Sequence, residues 1–328
     1  MEDRAVKDNI PLIDTGGGRP EARNGLVFPY EFPLLTGYFS QGAVAVEYIA
    51  EQFGGYDKLA GKKIVTVYHD SGYGRASQPV MAALAKKYKF QNIQIPVAPP
   101  GEEQSAIWSK VRQIKPDFVV LRTWGVMTPV AIKTAKRYGI AINKMLGDIW
   151  AGSHTDMIPA GSAADGYCAI APFPGGTNFG IHALLKKYIL DKGESNLHNK
   201  DHFGWVYYNI GIIYAITTTE AMRAAMSKYG NHVLNGVQMQ WGLEHINIDN
   251  ARLKQLGMLG LLQPMHTSPE DHEGGGGARI QCWNGSKFHQ VTGFIKGDTA
   301  VVNQVTETTS MAYAKEHGIT VRTMKAAK

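Results

Sequence analysis

The chain has 328 residues, of which 44% are hydrophobic and 19% charged. That length suits two domains with real cores, and that composition excludes a disordered or fibrous chain. Lysine and arginine exceed aspartate and glutamate by 34 to 28, a formal charge of +6. The densest basic stretches, 86–89 and 133–137, fall on faces of predicted helices. A nucleic-acid groove instead gathers basic and aromatic residues on one surface, so no nucleic-acid partner is expected.

Two cysteines, Cys168 and Cys282, exclude a disulfide-built scaffold and a four-cysteine zinc site. They either pair in an oxidising compartment or stay as buried thiols, and their spacing leaves both open. No segment matches the roughly 20 apolar residues of a membrane-spanning helix. The longest charge-free run near the middle, 203–219, is interrupted by Asn209, two glycines and three threonines. The opening Met1-Glu2-Asp3-Arg4 lacks the basic start and apolar stretch of a signal peptide.

In chain order, residues 10–13 predict a strand that runs into Asp14-Thr15-Gly16-Gly17-Gly18-Arg19. Consecutive glycines at a strand end let backbone N–H groups converge on an anion. The Lys-Ser/Thr of a phosphate-binding loop is missing, so a carboxylate is the expected guest, with a plain flexible turn as the alternative. Residues 37–53 predict a helix whose inner face carries Val44, Tyr48 and Ile49. From about 60 to 170, apolar runs at 64–68, 93–97, 118–121, 144–147 and 167–170 alternate with amphipathic segments. That rhythm predicts a parallel sheet covered on both faces by helices.

Such sheets bind ligands beyond the carboxyl ends of their strands. The residues just after the predicted strands are Asp70, Gly72 and Tyr73, then Thr123, Trp124 and Gly125, then Asp148 and Trp150. Tyr73, Trp124 and Trp150 with Asp148 would line a site for a small molecule with an apolar part and a cationic part. The alternative for each is structural: the tryptophans cover the core and the aspartates cap helices. Beyond 172, helical periodicity appears at 179–190, 205–226, 233–240 and 251–256. Residues 278–283 and 287–291 predict a hairpin turned by Asn284-Gly285.

No arrangement for metal-assisted, nucleophilic or paired-carboxylate catalysis occurs, so neither an enzyme nor a cofactor is expected. Glu270-Asp271-His272-Glu273 counts like a metal site, but adjacent loop positions point apart and four glycines follow. A solvated loop is the expected outcome there, and His245 and His266 are expected to be structural.

The ordered set Pro11-Leu12-Ile13, the glycine loop, Val27-Phe28, Lys63-Ile64-Val65, Asp70 to Arg75, Pro116 to Val119 and Pro269 to Gly274 resembles a known family. The family is the type I periplasmic binding proteins of branched-chain amino acid (leucine/isoleucine/valine) ABC transporters. The likeness runs from about residue 8 to 295, and the order of its motifs is more specific than any one of them. The resemblance implies an α/β fold of two lobes, each a parallel sheet flanked by helices, with the first lobe incomplete at its N-terminus. It places 1–35 and 171–277 in the first lobe, and 36–170 and 278–328 in the second with its tail. It implies a small-molecule ligand (an amino acid or a related, also aromatic, carboxylate), capture by closure of the lobes, an ABC transporter permease as partner, and a periplasmic location for the full-length form.

Carried over residue by residue, Thr15, Gly16, Gly17 and Gly18 fall where members hold the ligand's carboxylate and ammonium. Tyr73 falls where the opposite lobe offers a tyrosine, and Asp148 and Trp150 fall in the loop that supplies an acidic partner for the ammonium. Gly18 stands where the family usually has a hydroxyl residue, which puts a standard amino-acid grip in doubt. The family's signal peptide and the strand–helix units before residue 10 are missing, so the chain reads as an N-terminally shortened member. A cytoplasmic ligand-sensing module with the same fold is the alternative reading.

Overall fold

A computed structural model of the protein describes residues 2–14 and 17–324. Its strands, in chain order, are β1 (Leu12–Ile13), β2 (Glu31–Phe32), β3 (Lys63–His69), β4 (Gln91–Val97), β5 (Phe118–Arg122), β6 (Met145–Gly147), β7 (Cys168–Ala171), β8 (Asn247–Ile248), β9 (Met265–His266), β10 (Arg279–Trp283) and β11 (Phe288–Gln290). The chain divides into two compact units. The first comprises Met1–Gly37, Gly175–Gly276 and Asn303–Lys328; the second comprises Tyr38–Pro174 and Gly277–Val302.

The second unit is built on a seven-stranded sheet in the order β11-β10-β7-β6-β5-β3-β4. From β4 to β7 the pairing is parallel, as the apolar runs predict. Ile64, Val65 and Val67 of β3 and every residue of β5 are buried, the pattern of strands covered on both faces. Helices Tyr38–Phe53 and Gln78–Tyr88 pack together, as do Ser105–Ile114 with Met127–Arg137, and the latter with His154–Ala160. The chain runs from β3 outward to β4, then crosses back to place β5 on the other side of β3. Strand order therefore reverses between β3 and β5, which opens a crevice at their carboxyl ends.

Strand β10 adds antiparallel to β7 and sets Cys282 opposite Cys168, and the two form a disulfide across 114 residues of sequence. The choice that spacing left open is thus settled as a pair. The β10–β11 turn is wider than Asn-Gly alone. Residues 284–287 join Trp283 to its partner Phe288, and the Asn284 carboxamide oxygen accepts from the Ser286 and Lys287 amides at 3.2 and 3.0 Å.

In the first unit, β1 pairs parallel with β2 and β8 antiparallel with β9. The expected strand at 10–13 is only two residues long, Leu12–Ile13. Helices Val206–Tyr229 and Gly236–Leu243 pack so closely that a Cβ at Gly242 would stand 2.3 Å from the Ala221 carbonyl oxygen. Residues 303–328 belong to this unit, not to the one that the sequence suggested. The reason is apolar: Ala314 is buried against Ala22, Val27 and Phe28.

The loop at 270–273 is solvated only in its first half, where Glu270 is exposed and Asp271 half-buried. His272 and Glu273 are buried, and His272 stacks on Phe32 at 4.0 Å between ring centroids. Its ring nitrogens lie 2.8 Å from the Glu31 carbonyl and 3.1 Å from Glu244, and Arg322 reaches the same Glu244 oxygen at 2.7 Å. Arg23 grips Asp271 through two nitrogens at 3.0 Å each. The buried Glu244 and Glu273 are paired with half-buried arginines from distant segments, Arg322 and Arg23, which is what allows them inside.

Two predictions follow from these contacts. Replacing both cysteines by serine lowers stability by about 2–5 kcal/mol. Denaturant unfolding checks it, and reductant destabilises only the unaltered protein. At Glu244 burial alone would raise the carboxyl, but the bonds from His272 and Arg322 prevail and hold it below the usual glutamate value. A carboxyl lowered in the folded state stabilises above its unfolded value, about 4.3, and that stabilisation fades as pH falls through the lower folded value. Glu244→Gln costs about 3 kcal/mol at neutral pH and flattens the acid limb of the stability curve, as measured by urea melts from pH 3 to 7.

Candidate functional site

At the reversal between β3 and β5, three strand ends converge. β3 ends at His69, and Ser71 caps the short helical turn Gly72–Arg75. Gly74 is required in that turn, since a Cβ there would stand 1.9 Å from the His69 carbonyl oxygen. The tight turn brings Tyr73 back over the strand ends, where its hydroxyl donates to Asp148 Oδ2 at 2.7 Å. β6 ends at Gly147, and Asp148 caps the turn Ile149–Ala151 by accepting from the Trp150 and Ala151 amides at 3.0 and 3.2 Å. Between them β5 ends on Arg122, whose Nη1 lies 3.4 Å from Asp148 Oδ2 and whose Nη2 donates to the Tyr73 carbonyl at 3.0 Å.

Aromatic rings complete the arrangement. The Arg122 guanidinium lies over Tyr38 at 4.5 Å and Tyr73 at 5.1 Å. Trp150 donates from its indole nitrogen to the Tyr38 hydroxyl at 3.0 Å. Trp124 stands nearly parallel to Trp150, with centroids 6.3 Å apart and planes 23° apart, and it is 64% exposed. The predicted residues Tyr73, Trp124, Asp148 and Trp150 are therefore brought together in one unit.

Burial pushes the Asp148 carboxyl above its ordinary value, while Arg122, Tyr73 and the two amides pull it back down. Burial, with Asp148 beside it, pushes the Tyr73 hydroxyl well up, so it stays a neutral donor. Every partner of Asp148 is a donor, which suits the charged, acceptor-only carboxylate. The sequence reading offered Asp148 as the partner of a ligand ammonium. In the structure its charge is met by Arg122 and its lone pairs by its own unit, so Asp148 is the post that holds Tyr73, Trp150 and Arg122 in place. Sequence reasoning missed Arg122 and Tyr38; the signal for Arg122 was a lone cation closing the apolar run 118–121.

The glycine loop belongs to the first unit. Thr15 and Gly16 lie outside the described residues. Gly17 is buried. Gly18 is exposed with φ +71°, and a Cβ there would collide with the Asp14 carboxylate, so glycine is required. The first unit also contains a cavity of about 400 Å³ lined by Val6, Leu12, Val27, Phe28, Tyr313 and Ile319 among others. It is apolar and touches none of the predicted site residues, so its size alone does not make it the site. Among the described residues no group of histidine, cysteine and carboxylate side chains could hold a metal ion, and no helix is long and apolar enough to cross a membrane.

The family model described as periplasmic binding protein matches residues 1–287. The chain belongs to that family. Members are binding proteins rather than enzymes. A protein of the Pseudomonas fluorescens group, described as an ABC transporter permease, is 51% identical over 98% of this chain and 78% of its own, with a TM-score of 0.95. Two more distant structures share the fold. One is a branched-chain amino acid ABC transporter protein from Thermus thermophilus with bound valine, at 21% identity, 93% and 76% coverage and TM-score 0.73. The other is a solute-binding protein from R. palustris in complex with benzoate, at 15% identity, 90% and 74% coverage and TM-score 0.65. No curated protein matches the sequence.

The role given to Asp148 has a direct test. Asp148→Ala strands the buried Arg122 charge and is expected to cost about 3–5 kcal/mol. Tyr73→Phe, which removes one donor, costs about 1–3 kcal/mol. Urea unfolding of both variants checks the order; an Asp148→Ala protein as stable as the parent would contradict it.

Proposed function

We propose that this chain is the solute-binding protein of an ABC importer, capturing an amino acid or a related small, also aromatic, carboxylate by closure of two lobes and presenting it to a membrane permease. One observation carries the reading: in a periplasmic-binding-protein chain, Tyr73, Trp124 and Trp150 gather where strand order reverses, which is where open α/β sheets take their ligands. In this reading Thr15 and the amides of Gly16, Gly17 and Gly18 grip the carboxylate, and the aromatic residues meet the apolar body. Ligand contacts with both lobes would stabilise the closed form over the open one.

The distant neighbours bound to valine and to benzoate bracket this ligand range. The Cys168–Cys282 disulfide supports the periplasm over a cytoplasmic sensor, because such bonds persist in oxidising compartments. Native mass spectrometry of the full-length protein purified from its host should reveal a co-purified small acid. Calorimetry with a panel of amino acids and organic carboxylates should then give micromolar or tighter binding. Absence of heat from every member of the panel would remove the solute-binding reading.

A further inference from the structure

Beneath the strand ends, the second unit buries polar atoms that its own hydrogen bonds do not meet. Arg122 spends Nη1 on Asp148 and Nη2 on the Tyr73 carbonyl, which leaves Nε. That nitrogen and the Thr66 hydroxyl of β3 are both buried, and neither has a hydrogen-bond partner among the described residues. Thr66 pairs with Val120 in the register of β3 and β5, and Arg122 stands two residues beyond Val120. All three therefore share one face of the sheet. An unmet N–H and an unmet hydroxyl are costly in an interior, and folded proteins rarely leave either.

Both residues line the same small cavity, of about 10 Å³. Gln41 and Gly42 of helix Tyr38–Phe53 line it from the opposite side, with Ser77, which precedes helix Gln78–Tyr88. Gln41 and Ser77 are also buried polar residues. The two helices cannot close further to fill the space, since a Cβ at Gly42 would already stand 2.7 Å from Val80 Cγ1. A single water needs about 10–15 Å³ and two to four polar partners. An ion fits the charges badly: Arg122 opposes a cation, and Asp148, on the same wall, opposes an anion.

We infer that one ordered water molecule is seated here, accepting from Arg122 Nε and bonded to the Thr66 hydroxyl. All three guanidinium nitrogens are then engaged, and the plane is locked where it lies over Tyr38 and Tyr73. Thr66 is thus a positioning residue that acts on Arg122 through the water. The water site does not depend on which solute the protein binds.

A high-resolution crystal structure of the full chain should show a water about 2.7–3.2 Å from both Arg122 Nε and Thr66 Oγ1. Thr66→Val keeps the shape of the side chain and removes its hydroxyl. That variant should lose the water from its crystal structure. In solution it should also lose a long-lived internal water, as counted by magnetic relaxation dispersion. Thr66→Ser should keep the water in both measurements, whereas a role in packing alone predicts no difference between the two variants in water content. Arg122 Nε bonded directly to a protein group in the parent would overturn the inference. So would a peak that refines as an ion, or a Thr66→Val protein that keeps the water. Should Thr66→Val fail to fold, the parent structure and Thr66→Ser decide: loss of the water from either overturns the inference, and its presence in both upholds it.

Discussion

The site in the second unit depends on one buried charge. Asp148 has left water entirely, and a bare carboxylate in that position would be prohibitively costly. It is tolerated because Arg122 closes β5, Tyr73 turns back from the end of β3, and two amides point at it from the turn after β6. Three neighbouring strands thus end on a single group. That arrangement fixes the spacing of their following loops, and with it the positions of Tyr73, Trp124 and Trp150. The same saturation that holds the loops in register removes Asp148 from the chemistry a ligand could use.

The first unit applies the same rule with a different set. Glu244, His272 and Arg322 come from three distant parts of the chain and meet under Phe32, beside the strand pair that leads into the glycine loop. Gly25 allows this closeness, since any Cβ there would enter the His272 ring. Buried polar groups in both units are therefore fastening points between segments that lie far apart in sequence.

The parallel sheet was legible because its strands are short apolar runs bounded by turn residues, and the loop positions after them followed from the general rule for open sheets. Tyr73, Trp124 and Trp150 could be named from that rule alone. The part played by Asp148 could not. Whether an aspartate after a strand waits for a ligand or is consumed internally depends on Arg122 and Tyr73, which lie 26 and 75 positions away in sequence, and no local pattern encodes that meeting. The second half of the loop at 270–273 was misread for the same reason: His272 and Glu273 read as solvated until Glu244 and Arg23 arrive from distant segments to meet them. The tail at 303–328 was misplaced because sequence order says nothing about which unit offers Ala314 an apolar surface.

The most direct measurement is a crystal structure of the full-length protein with its native solute bound. The account predicts that both Asp148 oxygens keep Tyr73, Arg122 and the Trp150 and Ala151 amides as their neighbours, with the solute resting on the face of Trp124. A solute nitrogen bonded to Asp148, with Tyr73 or Arg122 displaced to make room, would contradict it.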